Sequence, residues 1–249
     1  MSRELEDHIK DHSPARIRSR LANPRGLSPL GDFMLGGVDG VITTFAVVAG
    51  SAGGQLPSST VIILGLANLI ADGFSMSVSN YLGTRARQDE VRQGRRNEER
   101  HISLYPEGER GEIKEIFARK GLAGSDLEKV VEVITADRRV WVDTMMAEEL
   151  RLTEETARPM KAAFTTYVAF SICGLVPLIP FLLGVGEFKS MFLASSLLGV
   201  LTFFLFGMGK GRVLGTPSFS SGVRTLVIGG AAAVLAYFTG YLLRSLTGT

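Results

Sequence analysis

Cysteine is almost missing from this chain. Cys173 is the single one in 249 residues, which excludes an intramolecular disulfide framework and a cysteine-based zinc cluster. Neither sign of charge dominates: 27 basic and 25 acidic side chains leave a net charge of +2, so no extended nucleic-acid surface is expected. The first thirty residues have no apolar run but six basic and four acidic side chains, so they do not read as a signal peptide, and membrane insertion is expected from internal segments. No internal repeat and no low-complexity tract is visible. The most informative absence is local. Charged residues make up 21% of the chain, yet residues 33–83 hold two of them, Asp39 and Asp72, and residues 162–249 hold six. A soluble domain scatters polar residues through all its elements, so these two stretches are not parts of one.

What fills them is apolar. A membrane-spanning helix needs about 20 mainly apolar residues, and five stretches qualify, at about 33–54, 59–82, 162–184, 191–209 and 223–243. Gly-Gly-Gln-Leu-Pro at 53–57 separates the first pair, Gly184–Lys189 the third from the fourth, and Gly209–Gly222, with Pro217, the last pair. With the N-terminus in the cytoplasm, the cytoplasmic segments 1–32, 84–161 and 210–224 hold 6, 16 and 3 basic residues, against Lys189 and Arg244 on the other side. That asymmetry follows the positive-inside rule and sets the C-terminus across the membrane from the N-terminus. The expected fold is therefore an all-α membrane protein. It has a cytoplasmic N-terminal arm (1–32), membrane helices 1 and 2 (33–83), a cytoplasmic helical domain (84–161) and membrane helices 3 to 5 (162–249), with lipid around the five spans.

The 84–161 segment reads as helices. Residues 84–101 prolong the second membrane helix. Pro106 suits the first turn of a new helix, with Glu107, Glu109 and Glu112 near its positive end and Gly121 as its stop. Ser125-Asp-Leu-Glu128 has the form of a capping box for a further helix. Asp137 is a candidate cap for a last one over about 138–152, in which Val142, Met145, Met146 and Leu150 recur at helical spacing. In the membrane part, Gly36-x-x-x-Gly40 permits close helix packing.

A carboxylate inside a membrane span costs several kcal/mol on insertion scales and is a functional candidate by default. Asp39 and Asp72 are deep, whereas Asp32 is at an edge. Asn68, Asp72, Met76 and Asn80 fall at i, i+4, i+8 and i+12, one stripe of amide oxygens, a carboxylate and a thioether. Hard oxygen together with soft sulfur suits a borderline ion such as Fe²⁺ better than Mg²⁺ or Ca²⁺. The alternative for the two asparagines is hydrogen bonding between helices. In the 84–161 segment, Glu98-x-x-His101 and Glu109-x-x-Glu112 are i, i+3 pairs able to aim two ligands at one ion, and Met145, Met146 and Glu149 form a third group. Against this stands the ordinary reading of seventeen acids in a soluble helical segment, a solvated face paired with Lys and Arg, and of two methionines as core. His8 and His12 lie in the polar arm, with only weak metal capture open to them. Cys173 reads as an apolar filler and Trp141 as packing.

Five segments taken together carry a resemblance. Asp39-Gly-Val-Ile-Thr-Thr-Phe-Ala-Val-Val-Ala-Gly50, Gly73-Phe-Ser-Met-Ser-Val-Ser-Asn-Tyr-Leu-Gly83, Pro106-Glu-Gly-Glu-Arg-Gly-Glu112, Trp141-Val-Asp-Thr-Met-Met-Ala-Glu-Glu149 and Pro177-Leu-Ile-Pro180, in this order and spacing, resemble the vacuolar iron transporter family over about residues 30–245. The resemblance implies five membrane helices, a homodimer, and export of Fe²⁺ or Mn²⁺ from the cytosol against protons, with a cytoplasmic metal-binding domain between helices 2 and 3. It implies no prosthetic group; the metal is cargo, with Zn²⁺ a further candidate. Asp39 and Met76 correspond to the metal path, and Glu98, Glu109, Glu112, Met145, Met146 and Glu149 to the cytoplasmic ligands. Two positions depart from plant-type members, with Asn68 and His101 each standing where those carry glutamate. Asp72, one turn from Asn68 on the same face, is expected to supply the missing carboxylate, and His101 to turn its site towards nitrogen-preferring metals. The reading that follows is a transition-metal/proton antiporter in a prokaryotic plasma membrane, or a vacuolar membrane in a eukaryote. The alternatives are a membrane-anchored di-iron carboxylate oxidase using Glu98, His101, Glu109, Glu112 and Glu149, and a metal-sensing membrane protein.

Overall fold

The structure is a computed structural model that describes residues 5, 9, 12–22, 30–152 and 158–247. Helix α1 covers Pro14–Ala22, α2 Leu30–Gly53, α3 Ser58–Leu104, α4 Pro106–Arg119, α5 Gly124–Ala136 and α6 Arg138–Glu148. After them come α7 at Pro159–Leu175, a 3₁₀ turn at Val176–Leu178, α8 at Ile179–Leu183, α9 at Phe188–Val213 and α10 at Ser218–Thr247. No strand occurs among the described residues. His12 sits in a turn before α1, whereas His8 lies outside the described residues.

The chain divides into two compact units, one of Met1–Leu82 with Arg158–Thr249 and one of Gly83–Ala157. The first holds the five apolar segments, each in a helix long and apolar enough to cross a membrane: α2, the first part of α3, α7 with α8, α9 and α10. Their outward faces carry Ile63, Ile70, Phe74, Leu193, Leu197, Leu235 and Leu242, all exposed, as a helix bundle in lipid requires. The inner core is built on Val41, Phe45, Val48, Leu69, Phe170, Leu178, Phe181 and Phe203. Glycine sets the distance between α2 and α7. A Cβ on Gly36 would strike the Thr166 carbonyl, and one on Gly40 the Phe170 carbonyl. The Gly36-x-x-x-Gly40 spacing therefore meets the backbone of α7 one turn at a time, and only hydrogen fits there.

The third span differs from a single helix over 162–184. It starts at Pro159, and Pro177 and Pro180 interrupt it with a 3₁₀ turn, since proline lacks the N–H that would continue the ladder. The fully buried Ser195 of α9 donates its hydroxyl to the Pro177 carbonyl at 2.7 Å and holds the break against α9. Gly184, in the left-handed region at φ 63°, ends α8.

In the second unit α3 continues past Gly94 to Leu104, giving 47 residues, about 70 Å of helix. Tyr105 alone separates it from α4, which Pro106 opens. The turn is tight enough that a Cβ on Gly108 would sit 2.5 Å from the Tyr105 ring. Lys120 caps α4 and Gly121 follows at φ 96°. The expected capping box does not form. Helix α5 starts at Gly124 with Ala123 as its N-cap, so Ser125 is already inside the first turn and caps nothing. Asp137 does cap α6, accepting from Arg139 N at 2.8 Å and Val140 N at 3.3 Å, though the helix stops at Glu148 rather than near 152. Ile102, Ile113, Leu127, Val131, Trp141, Val142, Met145 and Met146 form the core. Arg95 pairs with Asp143, and Arg138 donates to the Glu99 carbonyl at 2.7 Å and to Ser103 Oγ at 2.5 Å, tying α6 to α3.

Candidate metal sites

In the membrane unit the i, i+4 stripe of α3 lies on one half-buried face. Asn68, Asp72, Met76 and Asn80 are all partly buried, while Ile70, Phe74, Val78 and Leu82 on the other side are exposed. Opposite the stripe runs α2. Asp39, also half-buried, lies one turn from Thr43 on α2, as Asp72 lies one turn from Asn68 on α3. Asn68 donates to Thr43 Oγ1 at 3.1 Å, and Thr43 in turn donates to the Asp39 carbonyl at 3.0 Å. Met76 packs against the apolar core. Asn80 donates to Asp32 Oδ1 at 2.8 Å and to Thr166 Oγ1 at 2.7 Å, joining α2, α3 and α7. Asparagine thus bonds between helices at both positions, as the ordinary reading of these residues has it. Asp39 and Asp72 fall between these two bonded levels, at matching heights on α2 and α3.

In the second unit the turn at Tyr105 folds α4 so that its acids meet the end of α3. His101 Nδ1 lies 3.8 Å from Glu98 Oε1 and 3.9 Å from Glu109 Oε1. These are too long for hydrogen bonds, but two donors each about 2.1 Å from one ion can lie up to about 4.2 Å apart. Glu98 is 3% exposed and Glu109 8%, and each keeps one buried oxygen, Oε2, without a hydrogen-bond partner. A buried carboxylate oxygen with no donor is costly unless a cation or proton takes it. Burial, and then the charges of Glu112 and Glu98, push the Glu109 carboxyl up to about 7. Burial, with Glu112 opposed by His101, also raises Glu98. Partial desolvation and then Glu112 and Glu98 raise Glu149. Glu112 and Glu149 themselves are solvent-facing. Met145 and Met146 are buried in the core with Trp141, whose Nε1 has no hydrogen-bond partner. Among the described residues no three His, Cys, Asp or Glu side chains converge as a finished metal site. The acids are gathered by pairs, and an ion would have to draw them in.

Sequence reasoning left Asp32 at the edge of the span and placed Asn80 only in a stripe. The signal that joins them is antiparallel register, which becomes readable once the 53–57 turn is taken as a tight link between two spans.

These features define a class, a polytopic α-helical membrane protein with two carboxylates inside its apolar spans and a second unit rich in acidic side chains. The VIT family model matches residues 30–241, and the chain belongs to that family. A vacuolar iron transporter of Toxoplasma gondii (strain ATCC 50861 / VEG) is 34% identical over 224 residues, 86% of this chain and 74% of that protein. Vacuolar iron transporter 1 of Oryza sativa subsp. japonica is 33% identical over 207 residues, 83% of this chain and 82% of the relative. The Arabidopsis thaliana protein of the same name is 30% identical over 207 residues, with the same coverage.

Proposed function

We propose that the protein carries Fe²⁺, and Mn²⁺ beside it, out of the cytosol in exchange for protons, working as a homodimer without enzymatic activity. The relatives named as vacuolar iron transporters support metal transport with iron as cargo. The observation that carries the reading is the pair Asp39 and Asp72, set between the Asn68–Thr43 and Asn80–Asp32 hydrogen bonds of α2 and α3 in an apolar unit. Two carboxylates there are expensive unless a positive charge sits with them, and a divalent cation supplies it. Met76, one turn along from Asp72, adds a thioether that favours a transition metal over Mg²⁺ or Ca²⁺. Protonating either carboxylate weakens its hold on the ion, which couples release to proton entry.

Glu98, His101, Glu109, Glu112 and Glu149, with Met145 and Met146 behind them, bind the cargo in the acidic unit before transit. His101 contributes a nitrogen donor that admits Zn²⁺ as a competitor. The distribution of basic residues supports an orientation with the N-terminus and this unit in the cytoplasm and the C-terminus across the membrane. Transport away from the cytosol fits a prokaryotic plasma membrane and, equally, a vacuolar one. An oxidase using the acidic unit alone leaves the Asp39–Asp72 pair without a role.

The test is Fe²⁺ uptake into proteoliposomes holding purified protein under a proton gradient. Asp39→Asn keeps size and hydrogen bonding and removes the charge. Uptake is expected to fall by about a hundredfold, the loss of about 2.8 kcal/mol, while the dimer still assembles. Near-normal uptake by the folded variant would overturn the reading.

A further inference from the structure

We infer that Asp32 is the first intramembrane ligand of the cation path, held by Asn80 while no ion is present. The inference rests on the proposed path along Asp39 and Asp72 and extends it to a residue outside that pair.

Three polar pairs line up between α2 and α3 in one antiparallel register. Thr43 meets Asn68 and Asp32 meets Asn80 through hydrogen bonds, and Asp39 and Asp72 fall at one level between them. Moving along α2 towards its N-terminus, the steps are four and then seven residues; along α3 they are four and then eight. At 1.5 Å per residue the rungs stand about 6 Å and then about 10.5 Å apart. A cation approaching Asp39 from the N-terminal end of α2 passes the level of Asp32 one rung earlier.

The Asp32 rung holds more charge than a structural tie needs. Asn80 uses its amide nitrogen for both Asp32 Oδ1 and Thr166 Oγ1. Thr166, fully buried, also donates to the Asp32 backbone carbonyl at 3.4 Å. The two Thr166 contacts already bind three helices together through neutral groups and one main-chain oxygen. An asparagine at position 32 could accept from Asn80 as well, without the cost of an ionised side chain in an apolar unit. The second oxygen of Asp32 and the amide oxygen of Asn80 take no part in these bonds. Each is a hard-oxygen donor of the kind a divalent first-row cation takes. Asn80 donating to the carboxylate partly compensates its charge between ions, and an arriving cation replaces that donor.

The experiment measures Fe²⁺ uptake against Fe²⁺ concentration in proteoliposomes of the full chain. It compares the wild type, Asp39→Asn, Asp32→Asn, and the exchange Asp32→Asn with Asn80→Asp. Asp32→Asn is expected to raise the half-saturating concentration about tenfold, as losing one charge-assisted contact does, with the maximal rate kept within about a factor of two. The exchange moves the charge to the other helix, keeps an amide opposite a carboxylate, and is expected to bring half-saturation most of the way back. A merely structural tie would leave half-saturation unmoved, because the amide still accepts from Asn80. Asp32→Asn with wild-type half-saturation, alongside an inactive Asp39→Asn, overturns this inference and leaves the path intact. A fall in maximal rate alone that the exchange does not repair overturns it too. Wild-type transport by Asp39→Asn would remove the path itself, a failure distinguishable from the others. Should Asp32→Asn not assemble, Asn80→Asp alone adds a second carboxylate to the rung and is expected to lower half-saturation; no change there counts against Asp32.

Discussion

The two units solve opposite problems with the same element. The membrane unit packs helices through absences. Gly36 and Gly40 on α2 lie against the backbone of α7, and Gly207 of α9 lies against Ser221 and Gly222 of α10. The acidic unit packs through bulk, with Trp141, Ile113, Met145 and Met146 filling the space between α3, α4, α5 and α6. Their charges differ in the same way. In the membrane unit charges are few, and the two carboxylates deep within its spans fall at matching heights on α2 and α3. In the acidic unit they are many, and most are exposed and paired, as Arg119 is with Glu115 at 2.8 Å, Lys114 with Glu128 and Arg92 with Asp89. Such exposed pairs contribute little to stability. Where charge is scarce, its presence singles out a candidate. Where charge is abundant, burial without a partner does so, and among the described acids only Glu98 and Glu109 are buried with an oxygen that lacks a hydrogen-bond partner.

The largest effect that could break this contrast is on the deep carboxylate of α3. Asp72→Asn is expected to abolish uptake, and adding Asn68→Glu, which returns a carboxylate one turn away on the same face, to recover part of it. Normal uptake by folded Asp72→Asn would make Asp72 structural and leave Asp39 alone in the span. In the acidic unit the corresponding change should do less. Replacing Glu109, Glu112 and Glu149 together by Gln is expected to remove metal binding by this unit, measured by calorimetry on the full chain carrying Asp39→Asn, so that the membrane path contributes little. In an otherwise wild-type chain it should slow uptake several-fold without stopping it. Unchanged calorimetry would return these acids to a solvated face.

That contrast also explains what could be read in advance. The five spans, the long α3, Pro106 at a helix start and Asp137 as a cap follow from composition and from local chemistry, and these are local properties. Ser125 misled because capping depends on where the preceding turn ends. With Ala123 extended and Gly124 at φ 56°, the helix begins one residue before the motif. The break at Pro177 and Pro180 was visible as two prolines, but their effect depends on Ser195 eighteen residues away. Asp39 and Asp72 were legible because membrane insertion penalises any charge. Which acids of the other unit are buried was not legible, because burial of Glu98 depends on α4 folding back at Tyr105, a tertiary event. Met145 and Met146 sit in the core, where apolar periodicity alone would put them.

A smaller effect compares the packing. Gly40→Ala places a methyl against the Phe170 carbonyl, which can yield only by moving α2 from α7. It is expected to cost about 1–3 kcal/mol. Gly111→Ala, in α4 with nothing within 4 Å of the new methyl, is expected to stabilise by about 0.5–1 kcal/mol, since glycine is the poorer helix former. Thermal melts of the two purified variants check the pair; equal shifts of the same sign would erase the difference in packing.

The smallest effect separates the units by pH. Glu109 sits at about 7 against an ordinary value of 4.5, and burial and neighbouring acids raise Glu98 and Glu149 as well. Raised carboxyl groups favour the fold when protonated. Their contribution is complete below the ordinary glutamate value and is lost as pH climbs through about 7. Trp141, the sole tryptophan, lies in the core of this unit and reports on it selectively. The metal-free protein followed by its fluorescence should therefore melt a few degrees lower at pH 8 than at pH 6. Glu109→Gln, which is neutral at both, should flatten that slope and raise the melting temperature at pH 8. Metal reverses the sign, because the deprotonated carboxylate is the ligand; added Mn²⁺ should stabilise the wild type more at pH 8 than at pH 6, and Glu109→Gln should lose most of that gain. A wild-type melt that ignores pH between 6 and 8 would mean that Glu98 and Glu109 are solvated like the other acids, and the distinction drawn from their burial would fall.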